Sequence, residues 1–306
     1  MKKQEKYNYN GGRGFYTEGI DLSDVSRTTP YDEIVAALAP RLGVKTRLLP
    51  MKWEKVGEVL ILRYPETLRA QSDWICEAYA RVLGCKTVFS DVGGIEGQHR
   101  VPQVEWLWGS QDAVTAHHEN GVRFRLDPAT LMFSSGNMAE RVRMGQIVKK
   151  GETIVDLFAG IGYFTLPMAV HGNPTRIYAC EINPISYGFL CQNIVLNHVT
   201  ETVVPLLGDN RVVAPHGVAD RVVMGYLEDT DAYFLVALEC LRKNGGIVHY
   251  HEAVPTLLCP QRPLHQLERI AVDHDHNVRL LSWREVKSYA PGVSHVVLDV
   301  QVSPHG

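Results

Sequence analysis

The sequence contains no Cys-x-x-Cys pair. Its six cysteines, Cys76, Cys85, Cys180, Cys191, Cys240 and Cys259, stand apart among apolar neighbours. This pattern lacks zinc-ligand spacing and fits free thiols in a reducing compartment, so a cytoplasmic location is expected. Neither His117-His118 nor His249-x-His251 has a cysteine at ligand spacing, and no metal is expected. No run of roughly 18 or more apolar residues exists, which excludes a membrane-spanning helix. The start, MKKQEKYNYNGGRG, is basic but lacks an apolar stretch behind it. It is therefore not a secretory signal, and residues 1–30 read as a loose polar arm. Charge of one sign is also missing, with 31 Lys+Arg against 34 Asp+Glu. A nucleic-acid partner would have to be gripped by a local patch rather than by a basic domain. No internal repeat is visible, and no obligate protein partner is expected.

What is present is a chain of 306 residues, 45% hydrophobic, long enough for two cores. Periodicity predicts a helix over 31–42 ended by Pro40, strands over 47–50 and 57–63, an amphipathic helix over 66–83 capped by Gly84, and a strand over 86–91. Asn120-Gly121 lies between two alternating runs and predicts a hairpin over 115–126. These segments make a small α+β domain, 31–130. From residue 131 the pattern changes. A helix over 137–150 leads into strands over 153–158, 176–181, 202–207, 220–225 and 246–251. Helices over 160–170, 184–197 and 230–243 fall between them, with a short one near Arg211. Such alternation specifies an α/β domain with a doubly wound parallel sheet. A helix over 263–274 and β runs over 278–288 and 294–302 close the domain, 131–306, with an antiparallel hairpin.

The chemistry concentrates at the strand ends. Thr153 to Phe164 reads TIVDLFAGIGYF, a buried strand entering a glycine loop. Gly160 and Gly162 let the backbone approach a ligand closely. The form is not Gly-x-Gly-x-x-Gly, so a dinucleotide pyrophosphate is disfavoured. Glu181 ends the next strand about 20 residues on, where a carboxylate meets ribose hydroxyls. Asp209-Asn210 follows the third strand, at the place where an acid and an amide can read a purine. At the fourth strand end stands Gly225-Tyr226-Leu227. Methyltransferases that act on base amines carry Asn or Asp, Pro-Pro and an aromatic there. Before the sheet, Ser135 or Asn137 can cap a helix that carries Arg141, whose guanidinium suits a carboxylate.

Taken together, Phe133-Ser134-Ser135-Gly136-Asn137 through Arg141, Asp156 to Phe164, Glu181-Ile182-Asn183-Pro184 and Asp220 to Gly225 resemble the archaeal-type wybutosine-synthesis aminocarboxypropyltransferases. These are relatives of the tRNA guanine-1-methyltransferases. The resemblance extends from about Leu49 to Val302. It implies a class I methyltransferase-type fold and S-adenosylmethionine as the donor. The donor site it implies, with the motif residues above, is Ser134, Arg141, Asp156, Phe158, Gly160, Glu181, Asp209, Asn210 and Gly225; no catalytic base is assigned. The methyltransferase branch carries Phe-Ser-Pro-Arg where Phe133-Ser134-Ser135-Gly136 stands, and Asn-Leu-Pro where Gly225-Tyr226-Leu227 stands. Both departures favour the aminocarboxypropyltransferase branch.

The acceptor implied is 4-demethylwyosine, beside the anticodon in the stem-loop of phenylalanine tRNA. Ser134 and Arg141 are expected to hold the methionine arm so that its Cγ faces the base. Phe158 or Tyr226 is a candidate for stacking on the base, or for plain core. His118 is a candidate for assisting proton removal, with a structural role as the alternative. Lys52, Lys55, Arg123 and Arg125 are candidate tRNA contacts. The competing readings are guanine methylation on the same fold, a scaffold without activity, and a dehydrogenase.

Overall fold

The computed structural model describes residues 28–97 and 100–305. The arm expected over 1–30 lies, up to residue 27, outside the described residues. Thr29 opens α1 (Pro30–Leu42) with a capping box, its hydroxyl accepting from the Asp32 N–H while the Asp32 carboxylate accepts from the Thr29 N–H. Pro40 does not end this helix. It sits in the last turn, where a missing N–H costs one bond, and the chain leaves at Gly43, φ +53°. Nor is 47–50 a strand. A 3-10 turn (Gly43–Leu48) takes its place, because the Leu49 N–H returns to Thr46 and the Thr46 hydroxyl to Gly43.

A four-stranded sheet follows, in the order β1 (Trp53–Val56), β2 (Val59–Leu62), β3 (Thr87–Glu96), β4 (Val101–Gly109). Strands β2 and β3 are parallel and joined across α2 (Ser72–Leu83), which ends at left-handed Gly84 as its sequence predicts. Its core holds Ile34, Leu38, Leu60, Ile75, Tyr79 and Val88. Strand β4 had no sequence signal. Only Leu107 of its nine residues is buried, so no alternation betrays it.

The hairpin of β5 (Thr115–Glu119) and β6 (Val122–Leu126) turns at Asn120 and Gly121, both at positive φ. It is a separate two-stranded sheet. Its inward side chains, Val122, Phe124 and Leu126, share a core with Met144, Ile154 and Leu166. We therefore propose drawing the domain boundary before residue 115 rather than near 130.

The second sheet has seven strands. Helix α3 (Met138–Ile147) precedes β7 (Thr153–Asp156), α4 (Thr165–His171), β8 (Arg176–Glu181), α5 (Pro184–Leu196), β9 (Val203–Leu207) and the single turn α6 (Asn210–Val213). Then come β10 (Arg221–Met224), α7 (Phe234–Cys240), β11 (Gly246–Pro255), α8 (Gln261–Val272), β12 (His276–Ala290) and β13 (Val293–Pro304). The order is β12-β13-β11-β10-β7-β8-β9. The five strands β7 to β11 are parallel, and the terminal hairpin adds antiparallel β13 against β11. This is the doubly wound, class I methyltransferase-type α/β sheet. Neighbouring residues alternate between its faces. Ile154 and Val223 pack toward the hairpin side, Val155 and Val222 toward α7 and α8. The helix expected from residue 160 starts only at Thr165, because 157–164 is consumed by the loop itself. No helix among the described residues is long and apolar enough to cross a membrane.

Candidate functional site

One cavity opens at the carboxyl ends of β7, β8, β9 and β10, walled on the near side by residues 131–141. A doubly wound sheet places ligands there because its strand order reverses at that edge. Of the nine residues expected at the site, eight line the cavity: Ser134, Arg141, Phe158, Gly160, Glu181, Asp209, Asn210 and Gly225.

Asp156 does not. It lies fully buried beneath the loop, where its carboxylate accepts from the Phe158 N–H at 3.2 Å and the Thr165 hydroxyl at 2.7 Å. Burial raises its pKa to about 6 against those two bonds. Its task is to tie the strand end to α4, which shapes the loop from below.

Glu181 ties the loop from the side. One carboxylate oxygen accepts from the Gly160 N–H at 2.7 Å and the other from the Asn183 N–H at 2.7 Å. Carboxylate oxygens accept more than one bond each, the chemistry a ribose diol requires. Gly160 has φ +58°, and a Cβ there would lie 2.5 Å from the Tyr163 ring. Tyr163 is held by its hydroxyl on the Met132 carbonyl. The glycine is thus required twice, for its backbone angle and for the ring packed against it.

Asp209 caps the α6 turn and pairs with Arg211. Asn210 donates to the Leu157 carbonyl at 2.9 Å, while its Oδ1 is buried with no partner among the described residues. The Oδ1 of Asn137, also in the wall, is equally orphaned. An unmet buried acceptor costs ~1–3 kcal/mol, which a ligand carrying N–H or O–H donors at these two points would recover.

Two expectations need revision. The Arg141 fork is already taken. Its Nε and Nη2 meet the two oxygens of Glu119 at 2.6 and 2.5 Å, and Nη1 donates to the Ser134 carbonyl at 2.9 Å. Burial alone would raise the Glu119 carboxyl, but the bonds from Arg141 and His117 outweigh it and hold it at about 2. Arg141 therefore anchors the 133–137 loop to the hairpin, and the bidentate role reserved for a ligand carboxylate belongs to Glu119. His118 is exposed on β5 and does not line the cavity.

Phe158 and Tyr226 resolve jointly. Their rings stack at 5.2 Å and 14°, with Tyr233 edge-on to both, and all three line the cavity. Gly225 also has a physical reason. A Cβ there would lie 2.9 Å from the Phe164 ring. The asparagine that the methyltransferase branch places at this point has no room while Phe164 holds its position.

Sequence reasoning missed Arg100, Asn137, Tyr163, Tyr233 and His295, all in the wall, and Lys287, whose Nζ donates to the Ser134 hydroxyl at 2.6 Å. Arg100 comes from the small domain and pairs at 3.3 Å with Glu228, just beyond β10 of the larger sheet. Glu54 of β1 accepts from the Ser135 N–H at 2.8 Å. No local pattern announces residues that reach a site from another domain. Arg123 and Arg125 are exposed on one face of β6, and Lys52 and Lys55 are exposed near β1. No group of three or more His, Cys, Asp or Glu among the described residues is placed to hold a metal ion.

A glycine loop braced by an acid, with orphaned amide oxygens and an aromatic wall, suits a nucleoside-bearing donor. Comparison with known proteins agrees with this geometry. Residues 34–112 match the TYW2 N-terminal domain and residues 115–281 the TRM5/TYW2 methyltransferase domain. The chain is 43% identical over 270 residues to the tRNA(Phe) (4-demethylwyosine(37)-C(7)) aminocarboxypropyltransferase of Pyrococcus horikoshii, covering 88% of this chain and 95% of that one. The P. horikoshii TYW2 structure in complex with MeSAdo superposes with a TM-score of 0.80 at 39% identity, over 89% of this chain and 99% of that one. The M. jannaschii TYW2 structure in complex with AdoMet gives 0.68 at 36% identity, over 83% and 100%. With its fold, its cavity and both matched domains in the same order along the sequence, the chain belongs to the TRM5/TYW2 family.

Proposed function

We propose that this protein transfers the 3-amino-3-carboxypropyl group of S-adenosylmethionine to C7 of 4-demethylwyosine at position 37 of phenylalanine tRNA, releasing methylthioadenosine. It acts on the anticodon stem-loop, in the cytoplasm, as a step of wybutosine-derivative synthesis. The observation that carries the reading is the wall at Gly225. A Cβ at Gly225 would lie 2.9 Å from the Phe164 ring, so the asparagine of the methylating branch does not fit there unless Phe164 moves. A relative of like fold in complex with MeSAdo, the by-product of this transfer, supports the same choice.

The sulfonium activates three carbons, and the leaving group is good in every case. Selection is therefore positional, and the carbon held in line at about 3–3.5 Å from the nucleophile reacts. Glu181 would take the ribose, and Asp209 and Asn210 the adenine. Ser134, held by Lys287, and Asn137, with its unmet oxygen, would fix the methionine arm. The stacked Phe158–Tyr226 pair offers an aromatic face to a tricyclic base taken out of its stack. The exposed Arg123, Arg125, Lys52 and Lys55 would meet tRNA phosphate.

Gly160→Ala tests the donor half. Left-handed strain of about 1 kcal/mol or more adds to the clash with Tyr163. S-adenosylmethionine affinity, measured by calorimetry, is expected to fall at least about tenfold. The acceptor half is tested by incubating the protein with tRNA bearing 4-demethylwyosine and analysing nucleosides by mass. Gain of an aminocarboxypropyl group on that base is expected. Methylation of guanosine 37 in unmodified tRNA, with no change on 4-demethylwyosine, would return the protein to the methylating branch.

A further inference from the structure

We propose that His295 removes the proton that leaves C7 of the acceptor base, and that His251 behind it takes up the charge through their shared hydrogen bond. The proposal rests on the function given above. Substitution at an aromatic ring carbon must replace its hydrogen. The C7 π pair forms the new bond to the donor methylene while the carbon–sulfur pair departs with sulfur. The ring is left cationic, with a tetrahedral carbon carrying the hydrogen. A base takes that proton, and the C–H pair restores aromaticity. The positive charge of the sulfonium thus ends as one proton.

His295 is the neutral base at the cavity. It lies on β13 opposite Ala253 of β11, lines the wall and is 2% exposed. Its Nε2 meets the His251 Nδ1 at 3.0 Å, and its Nδ1 is buried without a partner among the described residues. In the tautomer that carries its proton on Nε2 and donates it to His251, the orphaned Nδ1 is the atom left to accept. If Nδ1 gains a proton, the Nε2 hydrogen passes to the His251 Nδ1 at 3.0 Å. The His251 Nε2 is unbonded among the described residues, 3.9 Å from the Glu140 carboxylate, so the relay ends at His251. Other cavity groups are unsuited. The Tyr163 hydroxyl is spent on Met132, Glu181 braces the glycine loop, Asp209 pairs with Arg211, and burial pushes the Cys180 thiol up to about 12.

The surroundings keep both imidazoles uncharged before reaction. Burial, then the charges of Lys287 and Arg100, lowers His295 to about 4. His251 is lowered by burial and by His295, His249 and Arg143, with Asp299 opposing, and Phe164 stacks on it at 5.0 Å. A weak base suffices here, because a hydrogen on a cationic ring carbon is strongly acidic. Arg100 and Lys287 add to this by discouraging a resting imidazolium.

The test uses the full chain and tRNA carrying 4-demethylwyosine tritiated at C7, with methylthioadenosine and tritium release followed together. In the wild-type protein the two are expected to appear together; absence of methylthioadenosine would sink the functional reading itself. In His295→Gln, tritium release is expected to fall about 100-fold, the usual span of a lost general base, with S-adenosylmethionine affinity within about threefold and partial rescue by added imidazole. Tritium release within about threefold of wild type overturns the proposal. So does a loss of donor affinity that accounts for the slower rate, since it would make His295 a donor contact.

Discussion

Arg141→Ala is expected to destabilise the fold by about 3–5 kcal/mol, because it strands the Glu119 carboxylate in a buried site. Both partners are nearly inaccessible, at 2% and 6% side-chain exposure. The double variant Glu119→Gln with Arg141→Met should cost far less, since no uncompensated charge remains. Urea denaturation of the single and double variants measures the difference. The pH dependence follows from Glu119, whose folded pKa of about 2 lies below its ordinary 4.5. A depressed acid stabilises above the unfolded value. The contribution is therefore complete above pH 4.5 and is lost as pH falls toward 2. The double variant should lack that segment of the acid transition. If Arg141→Ala instead kept wild-type stability and lost only donor affinity, the guanidinium would be a ligand for the donor after all.

Glu181→Ala is expected to weaken S-adenosylmethionine binding about 100-fold with little loss of fold. Each hydrogen bond to a charged group contributes ~1.5–3 kcal/mol, and 1.4 kcal/mol is tenfold in affinity. The carboxylate orders the Gly160 and Asn183 N–H groups and would also accept from the ribose. Isothermal calorimetry with S-adenosylmethionine and with methylthioadenosine should show parallel losses, since both carry the ribose. A loss confined to S-adenosylmethionine would move Glu181 from the ribose to the methionine arm.

The contrast between these two residues shows what could be read from the sequence. Glu181 and Gly160 belong to one βαβ unit, in which spacing along the chain fixes spacing in space. Their positions at the cavity were legible because a strand, a loop and the next strand end have only one arrangement. Arg141 was placed near the cavity for the same reason, but its partner is Glu119, 22 residues earlier on a hairpin. Nothing in local pattern pairs a helix arginine with a distant strand glutamate. Asp156 failed differently. Its position in the motif was right, but whether a side chain at a strand end points at the ligand or beneath the loop depends on the loop's path. In the small domain, β4 escaped because an edge strand with one buried residue leaves no alternation. The strand expected at 47–50 gives way to a 3-10 turn through Leu48, which is exposed, and only Leu49 just after it joins the core. Arg100, His295 and Lys287 reach the cavity wall or its loop from other elements of the fold and carry no sequence signal of their own.

What separates this protein from a methylating relative of the same fold is the carbon that reacts. The two outcomes leave different small molecules behind, whatever the fate of the tRNA. Purified protein incubated with S-adenosylmethionine and tRNA bearing 4-demethylwyosine should release methylthioadenosine, in amount equal to the base modified. Release of S-adenosylhomocysteine in its place would contradict the account at its centre, even with the donor site intact.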